Sequence, residues 1–297
     1  MTDRLEAALN SALGAAGAGS DLLRDRFGRL AGFEGKGGFD MVTEADRSCE
    51  RLIVERLHRD FPDHSIVGEE GAHIERSTDY CWYIDPLDGT ANFVHKFPFF
   101  AISIALARQG QPVIGVVADP IRNECFSARL GAGARVNGKP IRVSSTGGIE
   151  ESLLATVFPA HARESSGNIY YYQHLDSISH GVRRAGAAAL DLAWVACGRL
   201  DALWGFGLRP WDFAVGVILV REAGGLVTEL AGLRTSALRI FWRTTARCTI
   251  ASSRFWERYP RAGLPARFRR RGWPEPSRKN CFTCERNRTP ARKYKQS

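Results

Sequence analysis

Residues 82–93 read WYIDPLDGTANF. An apolar run delivers Asp85, and Asp88 follows three residues later, with proline and leucine between them. A chain that needed only a buried strand would not interrupt it with two carboxylates. Pro86 fixes φ and removes a backbone donor, so the strand is expected to end at Asp85 and break into a turn. Such a turn returns Asp88 beside Asp85 and exposes the Leu87 carbonyl between them. Two carboxylates and a carbonyl are hard oxygen ligands, suited to Mg²⁺ and poorly suited to zinc. Left alone, the two acids would repel and one would stay protonated. A divalent cation removes that penalty. Gly89 lets the backbone approach an anion closely, and the amides opening the next helical turn can hold phosphate. Thr90 adds a hydroxyl able to orient water.

Outward from this stretch, short apolar runs alternate with amphipathic ones. Thr43 is a good N-cap with Asp46 three residues on, close to a capping box. Cys49, Leu52, Ile53 and Leu57 then keep helical spacing until Phe-Pro-Asp at 61–63 stops the segment. SIVGEE (65–70) and YCWYID (80–85) are apolar runs that each end in acids. AISIALA (101–107), a QGQP turn and VIGVVAD (113–119) predict an antiparallel hairpin. NECFSARL (123–130) leads to a second hairpin across Asn137-Gly138. Strands clustered this way predict an α/β (α+β) fold with mixed or antiparallel sheets and helices, not a parallel doubly wound sheet.

SSTGGIEES (144–152) is polar and rich in glycine and serine, which places a lobe boundary there. The expected division is an N-terminal α+β lobe over 1–146, a C-terminal α/β lobe over 147–262, and a tail over 263–297. In the second lobe SLLATVF predicts a strand and AALDLAWVACGRL (188–200) a helix ending near Gly198. PWDFAVGVILVREAGG (210–225) predicts a helix stopped by Gly-Gly, with LVTEL following as a strand. Beyond about Leu233 the clean alternation is lost.

The chain has 297 residues, 44% apolar and 25% charged, the composition of a soluble enzyme. No apolar run reaches the roughly 18–20 residues of a membrane span. The first residues carry Asp3 and Glu6 without an apolar signal-peptide core. Seven scattered cysteines suggest reduced thiols, and with them a cytoplasmic setting. The net charge of +9 is unevenly spread: residues 233–297 hold 18 Lys and Arg against 3 acids, whereas residues 1–232 hold 23 against 29. The tail is Arg-rich, Pro-broken and aperiodic, and reads as disordered. It offers a route to nucleic acid, although a solvated irregular segment is the leading reading. Cys281-x-x-Cys284 is half of a zinc site without a second pair.

Acids stand at element ends at Asp46, Glu69-Glu70, Asp85, Asp88 and Asp212. Each alone has an ordinary explanation: a capping box for Asp46, a solvated turn for Glu69-Glu70, a first-turn acid favoured by the helix dipole for Asp212. The DPLDGT stretch shifts that balance. Haloacid-dehalogenase-type phosphatases carry D-x-D-G-T, with the first aspartate as covalent nucleophile. Here two residues separate the aspartates, and i and i+3 need a turn where i and i+2 on an extended segment would not. The sequence instead resembles the inositol monophosphatase family, among the Mg²⁺-dependent, lithium-sensitive sugar phosphatases. The matching stretches, in family order, are DMVTEAD (40–46), GEE (68–70), WYIDPLDGTANFVHKFPFFAISIAL (82–106), ARLGAGARVNGKPIRVS (128–144) and LRPWDFAVGVILVREAGG (208–225). They span roughly residues 1–232, and the resemblance is particularly close to the bacterial inositol-1-monophosphatase branch.

The resemblance implies a layered α/β/α/β/α sandwich, a homodimer and hydrolysis of a phosphate monoester by direct in-line attack of metal-activated water. It implies that Glu69, Asp85 and the Leu87 carbonyl bind one Mg²⁺, and that Asp85, Asp88 and Asp212 bind a second. A third, weaker ion would share Glu69. Asp46 and Thr90 would position the water, and the Gly89 and Thr90 amides would grip phosphate. On the substrate side the resemblance points to Gly186, Ala187, Ala188 and Gly205.

Two departures fall on that substrate side. The family's Ser/Thr after the glycine is here Ala187, so a hydroxyl is missing. The inositol branch has an acid seven residues before the Trp-Asp aspartate, where this chain has Gly205. Loss of a charged acceptor for a sugar hydroxyl is worth about 1.5–3 kcal/mol if uncompensated. The substrate expectation is therefore inositol-1-phosphate or a related sugar or polyol phosphate. 3′-Phosphoadenosine 5′-phosphate and histidinol phosphate are alternatives on the same scaffold, and an RNA- or ribonucleoprotein-binding role through the tail is the non-enzymatic one.

Overall fold

The computed structural model describes residues 2–30, 32–37, 40–76, 78–158, 168–229 and 246–251. The tail over 263–297, with Cys281 and Cys284, lies outside the described residues. The elements run α1 (Thr2–Arg26), β1 (Glu34–Gly37), β2 (Asp40–Val42), α2 (Glu44–Asp60), β3 (Ser65–Gly68), β4 (His73–Ile74), β5 (Tyr80–Asp88) and α3 (Thr90–Val94). Next come β6 (Ala101–Arg108), β7 (Gln111–Asp119), β8 (Glu124–Arg129), β9 (Ala134–Val136), β10 (Lys139–Pro140), β11 (Leu154–Val157) and α4 (Asn168–Asp176). The rest are β12 (Val182–Arg183), α5 (Ala188–Ala196), β13 (Ala202–Leu208), α6 (Pro210–Glu222), β14 (Leu226–Glu229) and β15 (Ala246–Ala251).

An eight-stranded sheet has the order β10-β9-β8-β7-β6-β5-β3-β4, and a five-stranded sheet the order β12-β11-β13-β15-β14. The first is antiparallel except where β3 runs parallel to β5. In the second, β11 pairs parallel with β12 and β13, and β15 antiparallel with β13 and β14.

Alternation along β6 shows how the layers form. Ile102, Ile104 and Leu106 join Trp82, Ile84, Ile53 and Leu57 in a core beneath α1 and α2. Ala101, Ala105 and Ala107 face the opposite way, into a core shared with α5, α6 and the five-stranded sheet. Small residues on that face let the middle helices come close. A Cβ at Gly115 would meet Ile218 and Val215 of α6. A third cluster, with Leu154, Leu175, Val182 and Trp204, covers the outer face of the second sheet beneath α4. The result is the layered α/β/α/β/α sandwich that the resemblance implies.

Three local expectations are corrected. β5 does not end at Asp85 but runs to Asp88. Its ladder with β6 is interrupted between Asp85↔Ser103 and Asp88↔Ala101, so Pro86 produces a bulge and not a strand end. A bulge tolerates the missing proline donor while the flanking pairs survive. Pro112 likewise lies inside β7 beside a register shift at Leu106/Ala107, and the turn is only Gln109-Gly110. Finally, residues 246–251, where periodicity had faded, form β15 between β13 and β14.

Candidate active site

Thr43 caps α2 as expected. Its hydroxyl accepts from the Ala45 and Asp46 amides, and the Asp46 carboxylate accepts in return from the Thr43 amide (2.8 Å) and hydroxyl. Asp46 therefore does cap its helix, but with one oxygen. The other, Oδ1, accepts from the Thr90 hydroxyl at 2.9 Å. Thr90 Oγ1 is also 3.1 Å from the Leu87 carbonyl, so its single proton has two acceptors within reach. Burial raises the Asp46 carboxyl above its ordinary range, against its bonds from Thr43 and Thr90.

The β5 bulge arranges the next groups. The Leu87 amide donates to Asp85 Oδ1 at 3.0 Å, closing the chain around Pro86. Gly89 (φ 99°) turns the chain into α3, and a Cβ there would crowd Phe99, Phe100 and Ala187. Asp88 points across to the second half of the chain, where its two oxygens accept the amides of Ala188 (3.0 Å) and Ala189 (2.7 Å). Asn92 reinforces that junction, donating to the carbonyls of Phe99 (2.6 Å) and Ala185 (2.8 Å) beside Gly186 (φ 91°).

Asp212 stands in the first turn of α6, and its Oδ2 accepts the Arg209 amide at 2.6 Å. Pro210 at the helix start suits that position. The Ser103 hydroxyl donates to the Trp211 carbonyl at 2.9 Å, tying this helix start to β6. Glu69, Asp85 and Asp212 converge: one carboxylate oxygen from each lies within 4.8 Å of the other two.

The electrostatics of this ring are those of buried acids whose nearby cations, Lys36 at Glu69 and Arg209 at Asp212, offset only part of the charge. Burial first, then Asp212, pushes Glu69 up to about 8. Asp85 is pushed well above the carboxylate range by burial, then by Glu69, Asp88 and Asp212. Asp212 rises to about 7, chiefly through burial. Oxygen-only donors that must otherwise hold protons fit a hard divalent cation and lack the nitrogen or sulfur that zinc favours.

Two residues missed in the sequence reading belong here. Lys36, on β1, places its ammonium 2.6 Å from Glu70 and 3.9 Å from Glu69. Glu50, one turn after Asp46 on α2, accepts the amides of Glu70 and Ala72, each at 2.9 Å. The i,i+4 spacing to Asp46 was a usable signal for Glu50; nothing local marked Lys36.

On the substrate side, Ala187 and Ala188 sit at the start of α5, with the Ala188 amide occupied by Asp88. Gly205 is buried in β13, paired with Val157 and Cys248. A side chain there would meet Val157 at 2.7 Å and Leu208 at 3.2 Å.

Comparison with known proteins agrees with this architecture. The profile of the Inositol monophosphatase family matches residues 4–261, past the limit of about 232 suggested by the motifs. The Nus factor SuhB of Pseudomonas aeruginosa is 47% identical over 232 residues, covering 75% of this chain and 86% of that protein. The inositol-1-monophosphatase of Synechocystis is 46% identical over 197 residues, 66% of this chain and 68% of the relative. Among solved structures, an inositol monophosphatase from Anabaena superposes with a TM-score of 0.74 at 39% identity, covering 84% and 92% of the two chains. The extragenic suppressor protein suhB of Bartonella henselae gives 0.75 at 37% identity, with 83% and 94% covered. The family is metal-dependent, in keeping with the acidic cluster. By its profile, its relatives and its fold, the chain belongs to the inositol monophosphatase family.

Proposed function

We propose that the protein is a Mg²⁺-dependent phosphomonoesterase that hydrolyses inositol-1-phosphate or a related sugar or polyol phosphate, with water as nucleophile. The convergence of Glu69, Asp85 and Asp212 within 4.8 Å carries the reading. These residues, the Leu87 carbonyl and Asp88 would hold two or three ions. Asp88 can serve while bonded to α5, because each carboxylate oxygen has a second lone pair. When bound, the ions would offset the carboxylate and phosphate charges and lower the pKa of water.

The remaining work falls to the chain itself. Thr90 Oγ1 and Asp46 Oδ1 form a two-atom relay that can orient water and receive its proton. The raised Asp46 carboxyl suits it to hold that proton transiently. Gly89 brings the backbone close enough for its own and the Thr90 amide to bind phosphate oxygens. Gly186, Ala187 and Ala188 would border the leaving group without the hydroxyl of the inositol branch, and Gly205, packed against Val157 and Leu208, supplies no acid to it.

A phosphate-release panel tests this reading. It would compare inositol-1-phosphate, fructose-1,6-bisphosphate, 3′-phosphoadenosine 5′-phosphate and histidinol phosphate, with Mg²⁺ and with added lithium. Release from the first, dependent on Mg²⁺ and inhibited by lithium, is expected; normal turnover by Asp85→Asn would sink the site assignment.

The name Nus factor SuhB, borne by a relative 47% identical, supports a second reading in which the chain works as such a factor. Salt-sensitive RNA binding lost on truncation near residue 262, with phosphate release retained, would favour it. No RNA binding by the full chain would remove its nucleic-acid form.

A further inference from the structure

We propose that Glu50 is a positioning residue of the catalytic centre, holding the turn after β3 so that Glu69 meets Asp85 and Asp212. The inference rests on the phosphatase reading above. Glu50 is 6% exposed and shares a helix face with Asp46. One oxygen accepts the Glu70 amide and the other the Ala72 amide, each at 2.9 Å. The same turn is pinned from the far side, where the Glu69 amide donates to the Ile84 carbonyl of β5 at 3.0 Å. The Gly68 amide closes it by donating to the Ala72 carbonyl at 2.7 Å. Glu69 is thus fixed between β5, which carries Asp85, and α2, which carries Asp46.

Gly68 supplies an independent observation. Its backbone is not left-handed, so conformation does not demand glycine. A Cβ there would instead run into the Glu50 carboxylate. The glycine that opens GEE is explained by the acid lying against it. An acid is the electrostatically costly choice at this place, because burial and then the nearby Asp46 oppose its charge, against the two amides and Lys36. Its geometry explains its presence. Two converging amide donors need two acceptor oxygens, whereas glutamine offers one acceptor and turns its own N–H groups on the other donor. One helix thereby aligns both the Thr90–Asp46 pair and the Glu69 carboxylate.

The test is Glu50→Gln, titrated calorimetrically with Mg²⁺ and melted in EDTA. Outer partners that orient ligands typically change metal affinity by about 10–100-fold. Mg²⁺ binding should weaken by about 10-fold or more, and the Mg²⁺ concentration for half-maximal phosphate release should rise with it. KM for the phosphate ester at saturating Mg²⁺ should stay near wild type. A lowered melting temperature with unchanged Mg²⁺ affinity would mean a structural role only and overturns the proposal. Gly68→Ala pushes on the same carboxylate from the other side and decides the matter if Glu50→Gln does not fold. Weaker Mg²⁺ binding supports the proposal; unchanged binding overturns it. Asp85→Asn separates the two levels. If it leaves Mg²⁺ affinity intact, the phosphatase reading fails and this proposal with it. If Asp85→Asn weakens binding while the Glu50 and Gly68 variants do not, only the role of Glu50 falls.

Discussion

The Asp88 carboxylate accepts the Ala189 amide at 2.7 Å, joining the end of β5 to the first turn of α5 across 101 residues. Its other oxygen takes the Ala188 amide. The first amides of a helix have no intrahelical partner and carry the positive end of the dipole, so a carboxylate is favoured there. Those amides lower the Asp88 pKa, yet burial outweighs them and pushes it up to about 7. One side chain both completes the Asp-Pro-Leu-Asp motif and docks a middle-layer helix on the first sheet.

Asp88→Ala should therefore lose more than activity. Two buried amides would be left without acceptors, at about 1–3 kcal/mol each. At pH 6 in EDTA, urea unfolding should show a loss of about 2 kcal/mol or more, with Asp88→Asn in between because it keeps one acceptor. Wild-type stability in Asp88→Ala would show that the α5 amides find water instead.

Stability of the metal-free protein should fall as pH rises. Glu69, Asp88 and Asp212 have folded pKa values raised to about 8, 7 and 7. A raised acid contributes stability that is complete below its unfolded value and is lost as pH climbs through the folded one. His64 works the other way: burial lowers it to about 4, and its contribution is complete only above about 6.5. Melting temperatures in EDTA should decline between about pH 6.5 and 8.5, a window clear of His64, and Mg²⁺ should flatten the decline. A flat profile in EDTA would contradict the raised acids of the ring.

Lys36→Met removes the cation beside Glu70, whose side chain is only 4% exposed. Breaking one side of a largely buried pair is costly. The variant should melt lower than wild type in EDTA, by more at pH 8 than at pH 6, and Mg²⁺ should raise its melting temperature by a larger increment. Equal increments in both proteins would show that Lys36 and the metal ions do not share the same charges.

Gly205→Glu, which restores the acid of the inositol branch, should not restore inositol preference. Its side chain would start against Val157 and Leu208, and overpacking of this kind costs about 1–3 kcal/mol. The checks are a urea midpoint and the ratio of kcat/KM for inositol-1-phosphate against a simpler polyol phosphate. A stable variant with sharpened preference would show that Val157 yields and that the position faces substrate.

Much of the fold was legible because local chemistry specifies it. The Thr43–Asp46 capping box, the Phe61 stop, the Asn137-Gly138 turn and the start of α6 at Pro210 all depend on residues within one turn of each other. Periodicity did not mark β15, because its strand character depends on lying between β13 and β14. Proline misled twice, at Pro86 and Pro112, since neighbouring pairs carry a strand past one missing donor when a bulge absorbs it. Among the site residues, Asp85 and Asp88 announced themselves by spacing, whereas Lys36 had no local mark.

By itself the sequence determined the chemical inventory: hard oxygen donors at Glu69, Asp85, Asp88 and Asp212, a hydroxyl at Thr90, and the succession of helices and strands as far as about Leu233. Tertiary structure alone decided which of these meet. It brought Asp212 to Asp85 and Glu69, Glu50 to the Glu70 and Ala72 amides, and Asp88 to α5. It also filled the space beside Gly205 with Val157. The reason is physical. Backbone angles and caps answer to neighbours in the chain, whereas burial, pKa and ligand geometry answer to sheet register and helix packing, which no short stretch contains.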